Sequence, residues 1–210
     1  MLEFTHDLVL SAMTPTPWDF SNRLLYDLCA YHPAHVSSGE VLAKVLLIGR
    51  AYSAAIERRK NKADEDKNDD FYVNVVAPAI QSSQIDSWLK DARKAIPGTQ
   101  AGFDTLVEIH SKVTTLFSDI SGLEKRSLAS KYLHFHVPKL FYIFDSRAVE
   151  AMRKFSSIVP RASHTEGSGD NEYRKFAEKC TYLAQICEQT FGLSLLPRQV
   201  DNLLLAVHAG

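Results

Sequence analysis

The sequence has little cysteine, no long apolar run and no excess of charge of one sign, and each absence excludes a class of protein. Only three cysteines occur, Cys29, Cys180 and Cys187, and no two of them form a Cys-x-x-Cys pair, so neither a disulfide framework nor a thiolate-bound metal is expected. No uninterrupted apolar run approaches the roughly 18 residues of a membrane-spanning helix. Acids stand near the N-terminus in place of the basic segment of a secretory signal. We therefore expect a cytoplasmic protein that does not enter membranes.

The charge balance limits how the chain could bind nucleic acid. The formal net charge is -1 at pH 7 and the pI is near 6.7, so the molecule as a whole does not attract a polyanion. Any contact with DNA must therefore come from local basic patches. The hydrophobic residues, 45% of the total, suffice for an apolar core in one domain or in two small lobes that share a cleft.

Apolar residues recur at helical spacing along almost the whole chain, which predicts an all-α fold. Pro33 ends the first predicted helix, and the residues from Ser37 to Glu40 resemble a capping box that begins a long one. The segment 71–80 is apolar, but it contains Pro78 and has no partner strand, so we assign it to a packed helix or an irregular connection. The predicted helices span residues 18–31, 38–60, 83–95, 102–118, 123–136, 145–157, 171–191 and 197–208, with polar loops at 61–70 and 160–170.

A turn in the middle of the chain, Ser121-Gly122, separates two of the predicted helices. It leaves backbone N–H groups free at a helix N-terminus, where a phosphate oxygen can bind. Lys125 and Arg126 follow within the next turn and add positive charge beside that position. The alternative is a solvated basic surface without a ligand.

Asp145 follows four large apolar residues, Phe141 to Phe144, at the start of another predicted helix. A carboxylate in such surroundings is poorly hydrated, so its charge needs an explanation. Asp is also a favoured N-cap residue, and a purely structural role for Asp145 is therefore the alternative. The two roles do not exclude each other.

Residues 120–123 and 141–145 together resemble two motifs of the helix-hairpin-helix DNA glycosylase superfamily. In that superfamily a Leu-Pro-Gly-h-Gly hairpin is followed by a helix and then by an apolar segment that ends in the catalytic Asp. Asp145 occupies the place of this catalytic residue. The chain differs from the family pattern at Ser121, Glu124 and Tyr142.

The resemblance implies both a fold and a reaction. The fold has two helical lobes with a central cleft between them. In this chain the middle lobe would consist of residues 37–136 and end in the hairpin, and the terminal lobe would consist of residues 1–36 together with residues 137–210. The reaction is hydrolysis of the N-glycosidic bond of a base everted from double-stranded DNA, with Asp145 stabilising the positively charged sugar. No cofactor and no obligate protein partner are implied.

The family comparison also indicates whether the enzyme cleaves the DNA strand. Bifunctional members attack the sugar with a lysine placed just after the hairpin, and Arg126 stands at that position here. Because arginine does not lose its proton, we expect a monofunctional enzyme unless Lys125 or Lys131 provides the amine.

A second resemblance concerns the substrate. The stretch from Ser127 to Arg147 is similar to proteins of bacterial phage-defence loci, among them glycosylases that excise hypermodified cytosines. This likeness implies antiviral defence as the role and glucosylated hydroxymethylcytosine as the base. Alkylated or oxidised bases stay open as alternatives.

Side chains for the pocket and for DNA contacts are expected from several predicted helices. The substrate pocket is expected to include Arg50, Tyr52, Arg58, Lys131, His134 and Tyr142. The DNA contacts are expected to include Ser121, Gly122, Lys125, Arg126 and Arg147, with the basic run 58–62 as a further phosphate contact. We expect no metal, because His134 and His136 are two residues apart on a helix and point in different directions.

Other interpretations of the same residues remain open. Arg50 and Glu57 have the spacing of an ion pair on a solvent-exposed helix face. The whole chain could be a helical DNA-binding or protein-interaction module, in which Asp145 is only a cap. A metal-dependent nuclease that uses Asp119, Glu124 and Lys125 is disfavoured, because the predicted fold has no strand core to hold two metal ions.

Overall fold

The computed structural model describes residues 3–58, 68–161 and 169–209, and these ranges contain helices and their connections but no β-strand. The all-α prediction is thereby confirmed. Residues 59–62 of the predicted basic run, and most of the two predicted polar loops, lie outside these ranges. No helix within them is long and apolar enough to cross a membrane.

The described part of the chain forms eleven α-helices and one π-helix. The pattern of the sequence gives no indication of the first helix, whereas segment 71–80 is helical, as expected. In chain order the elements are α1 (His6–Met13), α2 (Trp18–Tyr31), α3 (Ser38–Ala51), α4 (Asn68–Phe71), the π-helix (Tyr72–Val76), α5 (Ala77–Gln81), α6 (Ile85–Lys94), α7 (Gln100–Ser121), α8 (Arg126–His136), α9 (Ser146–Lys154), α10 (Asn171–Phe191) and α11 (Pro197–Ala209).

The long helix predicted over residues 38–60 ends early, at Ala51, so the prediction is wrong for residues 52–58, while residues 59 and 60 lie outside the described ranges. Ser53 takes a left-handed conformation with φ of 54°, and the N–H of Ala54 donates to the carbonyl of Gly49 at 2.7 Å. Gly49 allows the chain to fold back here, because a Cβ at this position would lie only 3.2 Å from a backbone atom of the returning segment. The residues after Ala51 therefore leave the helix axis.

The turn between α7 and α8 is longer than the sequence indicates. α7 ends at Ser121, and Gly122 follows in the left-handed conformation with φ of 67°. Its N–H donates to the carbonyl of Ser118 at 2.7 Å, a common helix ending. α8 begins at Arg126 and not at Leu123 as predicted.

α8 lies in the middle of the fold. All its residues from Leu128 to His136 are buried, and it packs against α2, α3 and α7. Its apolar side chains belong to a first core that also includes residues of α3, α5, α6 and α7. Because the helix is enclosed on all sides, its polar side chains also lie in the interior.

A second apolar core joins α1, α9, α10 and α11. Tyr142 and Phe144, in the connection between α8 and α9, pack against both cores. The predicted division into two lobes stays a prediction. Helices α1 and α2 both fall within residues 1–36 of the predicted terminal lobe, but they pack into different cores. α1 contributes Val9 to the second core, whereas α2 contributes Leu25 to the first.

The start of α7 provides a test of this packing. A Cβ on Gly102 would lie 2.1 Å from the carbonyl oxygen of Ile96, so any larger residue must displace the turn before the helix. Gly102→Ala is therefore expected to lower the free energy of unfolding by about 1–3 kcal/mol, a typical cost of overpacking. Urea unfolding followed by circular dichroism measures the change.

Gly39→Ala in α3 is the matched control for this substitution. The nearest atom to a Cβ at Gly39 is 3.8 Å away, and the helix propensity of alanine predicts a gain of up to about 1 kcal/mol. Equal effects of the two substitutions would contradict the close approach of Gly102 to Ile96.

Candidate functional site

Polar side chains on one face of α8 hold the connection to α9 in place. Ser130 Oγ accepts a hydrogen bond from the N–H of Phe144 at 3.0 Å. His134 Nδ1 lies 2.8 Å from the carbonyl oxygen of Phe141. Because Ser130 and His134 are about one helical turn apart, the two contacts fix the register in which the start of α9 meets α8.

Asp145 is the N-cap of α9 and also the partner of a buried lysine. Its Oδ1 accepts from the N–H of Ala148 at 3.0 Å, while its Oδ2 lies 3.3 Å from Lys131 Nζ and 3.8 Å from Arg147. Only 14% of the side chain is exposed. Burial by itself raises the pKa of Asp145, but the charge of Lys131 and the Ala148 N–H outweigh it, so the pKa lies below its ordinary value. Asp145 is therefore ionised at neutral pH although water is largely excluded.

Lys131 is almost completely buried, with 2% of its side chain exposed. Its Nζ donates to Ser127 Oγ at 2.9 Å and to the carbonyl of Tyr52 at 3.3 Å, and lies 5.7 Å from the centre of the Tyr52 ring. Burial lowers the pKa of Lys131, and the charge of Asp145 opposes this effect. Together with Asp145, these contacts provide partners for the three donors of the ammonium group.

Next to this ion pair lies a group of four polar side chains, which we call the Arg198 cluster: Asn22 of α2, Tyr52 directly after α3, and Arg198 and Asp201 of α11. The Tyr52 hydroxyl donates to Asn22 Oδ1 at 2.6 Å. Arg198 Nη1 donates to the Tyr52 hydroxyl at 3.3 Å and to Asp201 Oδ2 at 2.9 Å. Since the Tyr52 carbonyl also binds Lys131, the cluster continues directly into the ion pair.

Asp201 is the most deeply buried acid of this region, with 3% of the residue exposed. Burial raises its pKa to about 6, the charge of Arg198 lowers it, and the nearby charge of Asp145 raises it further. Two carboxylates and two cations therefore share one poorly hydrated volume, where their mutual interactions are stronger than in water.

His134, a predicted pocket residue, lies on the inner side of this region. Its Nε2 is 2.6 Å from the hydroxyl of Tyr26, and burial lowers its pKa to about 4, so it is neutral at pH 7. Charges of the Arg198 cluster act on Tyr26 as well. Within the described ranges, no group of three His, Cys, Asp or Glu residues is arranged to hold a metal ion.

Arg50 and Arg58, also predicted for the pocket, have other neighbours. Arg50 Nε lies 3.0 Å from Glu57 Oε1, and half of the Arg50 side chain is exposed. This ion pair has the expected partners, but it spans the end of α3 and not one helix face. Arg58 is exposed and donates to the carbonyl of Ser53 at 3.3 Å.

Tyr142 contacts α10 and lines a cavity. Its hydroxyl accepts from Thr181 Oγ1 at 3.3 Å. The tyrosine lines a cavity of about 450 Å³ between the start of α7 and α10, and neither Asp145 nor Lys131 is among the residues that line it. The structure therefore assigns Tyr142 and Asp145 to different surroundings.

Two of the predicted DNA-contacting cations have partners inside the protein. Lys125 is 9% exposed, and its Nζ donates to the backbone carbonyls of Ala55 and Arg58, which follow α3. This contact anchors the segment after α3 to the turn before α8. Arg126 forms ion pairs with Glu124, Asp170 and Glu172.

The other predicted DNA-contacting residues differ in exposure. Ser121 is buried, and its Oγ donates to the carbonyl of Phe117 at 2.8 Å. Gly122 is exposed at the end of α7. Arg147 has 59% of its side chain exposed beside Asp145, so it is the predicted contact best placed to meet a phosphate next to the carboxylate.

Sequence reasoning misses three members of the Arg198 cluster: Asn22, Arg198 and Asp201. Asn22 shares a face of α2 with the buried apolar residues of that helix, and Arg198 and Asp201 are three residues apart in α11. A polar residue on an apolar helix face is the signal that could have identified them. The pattern alone does not indicate that the two helix faces meet.

The buried carboxyl of Asp201 makes stability depend on pH. Its pKa of about 6 in the folded protein exceeds the value of about 3.9 for an unfolded Asp. Between these values the folded state binds more protons, so stability falls as the pH rises. Asp201→Asn removes this contribution, and the stability of the variant relative to the unaltered protein should increase between about pH 4 and about pH 7. Urea unfolding of both proteins measures it, and a difference that does not change with pH would contradict the assignment.

Comparison of the chain with protein-family models, with curated proteins and with solved structures gives no match in any of the three. The likeness to the helix-hairpin-helix glycosylases therefore rests on the two short motifs around Gly122 and Asp145.

Proposed function

We propose that this chain is a monofunctional DNA N-glycosylase, which hydrolyses the N-glycosidic bond of a modified base in double-stranded DNA and leaves an abasic site. The observation that carries the proposal is the Asp145 carboxylate, which is ionised although only 14% of its side chain is exposed. Glucosylated hydroxymethylcytosine of phage DNA is the proposed base, and antiviral defence in the cytoplasm is the proposed role. Both follow from the sequence resemblance of residues 127–147.

The chemistry of the reaction explains why such a carboxylate is suitable. When the bond between C1′ and the base nitrogen breaks, the base takes the electron pair and the sugar becomes positively charged. A fixed carboxylate stabilises this charge, and more strongly where water is excluded. Water then forms a bond to C1′ and releases a proton, which balances the proton taken up by the base. In this proposal Asp145 provides the negative charge.

The neighbours of Asp145 support this role. Lys131 favours the ionised form of the carboxyl, and the α9 N-terminus fixes its position. Arg147, 3.8 Å from the carboxylate and largely exposed, is available for a phosphate of the same nucleotide. An everted base is held in this way by contacts to both its backbone and its ring.

The surroundings of the two candidate lysines favour the monofunctional alternative. A lyase needs an unprotonated amine that reaches the sugar. Lys131 is 2% exposed and paired with Asp145, and Lys125 binds two backbone carbonyls. Neither amine is free to attack in this conformation.

The substitution Asp145→Asn removes the negative charge of the side chain but keeps an N-cap residue at the start of α9. Asn is a favoured N-cap residue and its side-chain oxygen can still accept from Lys131, so the variant should keep the start of α9 and bind duplex DNA. Circular dichroism checks its fold, because the buried lysine loses its charged partner. Its rate of base release is expected to fall by about 100-fold or more, because an electrostatic partner of the transition state is lost. Mass spectrometry of bases released from phage DNA with glucosylated hydroxymethylcytosine, and from unmodified DNA, measures this. Asp91→Asn is the matched control, since Asp91 is exposed on α6 beside Lys94.

The same assay separates the alternatives. The product strand should stay intact until alkali is added, and borohydride should trap no enzyme–DNA adduct. An adduct would contradict the monofunctional assignment, and base release by Asp145→Asn at the rate of the unaltered protein would contradict the role of the carboxylate. Loss of all activity in a chelator would favour the nuclease that uses Asp119 and Glu124.

One observation favours a second candidate, the non-catalytic helical module. Asp145 Oδ1 accepts from the N–H of Ala148, which is the contact of an ordinary cap. In a module of this kind, the unaltered protein binds DNA or a protein partner and releases no base from any DNA. The absence of base release by the unaltered protein would therefore decide in its favour.

A further inference from the structure

Three buried polar atoms of the Arg198 cluster have no hydrogen-bond partner within the described ranges: Asn22 Nδ2, Arg198 Nε and Asp201 Oδ1. Asn22 is 5% exposed and Asp201 is 3% exposed. Leaving one buried polar group unpaired costs roughly 1–3 kcal/mol, so three in one cluster are a large cost for a protein to retain. Unpaired groups of this kind call for an explanation, and a ligand that completes their hydrogen bonds supplies one.

The unpaired atoms lie beside the Lys131–Asp145 pair. Tyr52 connects the two groups, since its hydroxyl binds Asn22 and Arg198 and its carbonyl binds Lys131. Two cations lie near the Tyr52 ring: Lys131 Nζ is 5.7 Å from the ring centre, and the guanidinium carbon of Arg198 is 6.0 Å from it. The charges of Asp145 and Lys131 act on Asp201, so the unpaired atoms lie close to the carboxylate that the proposed reaction uses.

On the basis of the glycosylase function proposed above, we infer that Asn22, Arg198 and Asp201 bind the hydrogen-bonding edge of the everted base and select a pyrimidine. Asn22 and Arg198 supply donors, and Asp201 supplies an acceptor. Everted bases are recognised by hydrogen bonds to their Watson–Crick edge, so the edges of the four bases can be compared with this set.

The comparison favours pyrimidines. Cytosine and thymine each present two acceptors and one donor on this edge, which matches two donors and one acceptor in the protein. Guanine presents one acceptor and two donors, and it would leave a donor of the protein unpaired. Adenine presents one donor and one acceptor on this edge, so it would leave one donor of the protein unpaired. Substituents at C5 do not change the edge, so a hypermodified cytosine fits the set as well as the plain base does.

Arg198 controls access to the acceptor. Its side chain is 19% exposed, whereas Asp201 is 3% exposed beneath it. The guanidinium contacts Asp201 Oδ2 through Nη1 at 2.9 Å and leaves Oδ1 unpaired. In the inferred complex the base lies against the arginine side chain and not against the helix backbone, so Arg198 Nε can donate to it.

The experiment compares duplexes with and without a base at the target position. One duplex carries 5-hydroxymethylcytosine or its glucosylated form, a second carries 8-oxoguanine, and a third carries a tetrahydrofuran abasic analogue. Fluorescence anisotropy measures binding, and mass spectrometry measures base release. Asp201→Asn exchanges the acceptor for an amide, Asn22→Ala removes a donor, and Asp91→Asn is the matched surface control.

A base-contacting role predicts a selective loss. Asp201→Asn and Asn22→Ala should each weaken binding to the cytosine-derived duplex about tenfold, the effect of one lost buried hydrogen bond. Binding to the abasic analogue should stay unchanged, because no base is present to contact. Circular dichroism confirms that each variant folds, and either variant alone is sufficient for the test.

Three results would overturn the inference. Equal loss of affinity for the abasic analogue in both variants would indicate a structural role, and release of 8-oxoguanine in preference to the pyrimidine would contradict the base class. If the unaltered protein releases a base in either case, the proposed glycosylase activity survives, although a preference for 8-oxoguanine also contradicts the proposed base. If the unaltered protein neither binds the abasic analogue nor releases any base, the proposed function fails and this inference fails with it.

Discussion

The buried ion pair between Lys131 and Asp145 is the interaction on which the rest of the candidate site depends. A lysine whose side chain is 2% exposed is tolerated only when charges and hydrogen bonds replace the water around its ammonium group. Removal of its partner leaves an uncompensated charge in the interior. The pair joins α8 to the start of α9, and the Tyr52 carbonyl extends it to the end of α3. One interaction therefore holds three elements together and keeps a carboxylate ionised where little water reaches it.

The position of α8 explains how a lysine comes to lie there. A helix that packs against α2, α3 and α7 buries both its apolar and its polar faces. The polar face then needs partners, and the connection to α9 provides them through Phe141 and Phe144. The site is thus fixed by backbone contacts of a packed connection and not by a mobile loop. Such rigidity is what electrostatic stabilisation of a charged transition state requires.

The features of the structure that depend on local sequence patterns could be predicted. The all-α class and the approximate positions of most helices follow from apolar periodicity, and the poor hydration of Asp145 follows from the four apolar residues before it. The early end of α3 depends on Ser53 and on a close approach at Gly49, neither of which has a periodic signal. Tyr52 and Arg198 meet although they are 146 positions apart, and periodicity does not show which helix faces come together. For the same reason, Lys125 looks like a surface cation in the sequence and is an internal anchor in the structure.

The most direct test of this account is the titration of the Asp145 carboxyl by carbon-13 NMR, in the unaltered protein and in Lys131→Met. The account predicts a pKa below the usual value of about 3.9 in the unaltered protein. It predicts a clear increase in the variant, because burial then acts without the compensating charge. The same ordinary pKa in both proteins would contradict it, since the carboxylate would then be neither buried nor held by the lysine.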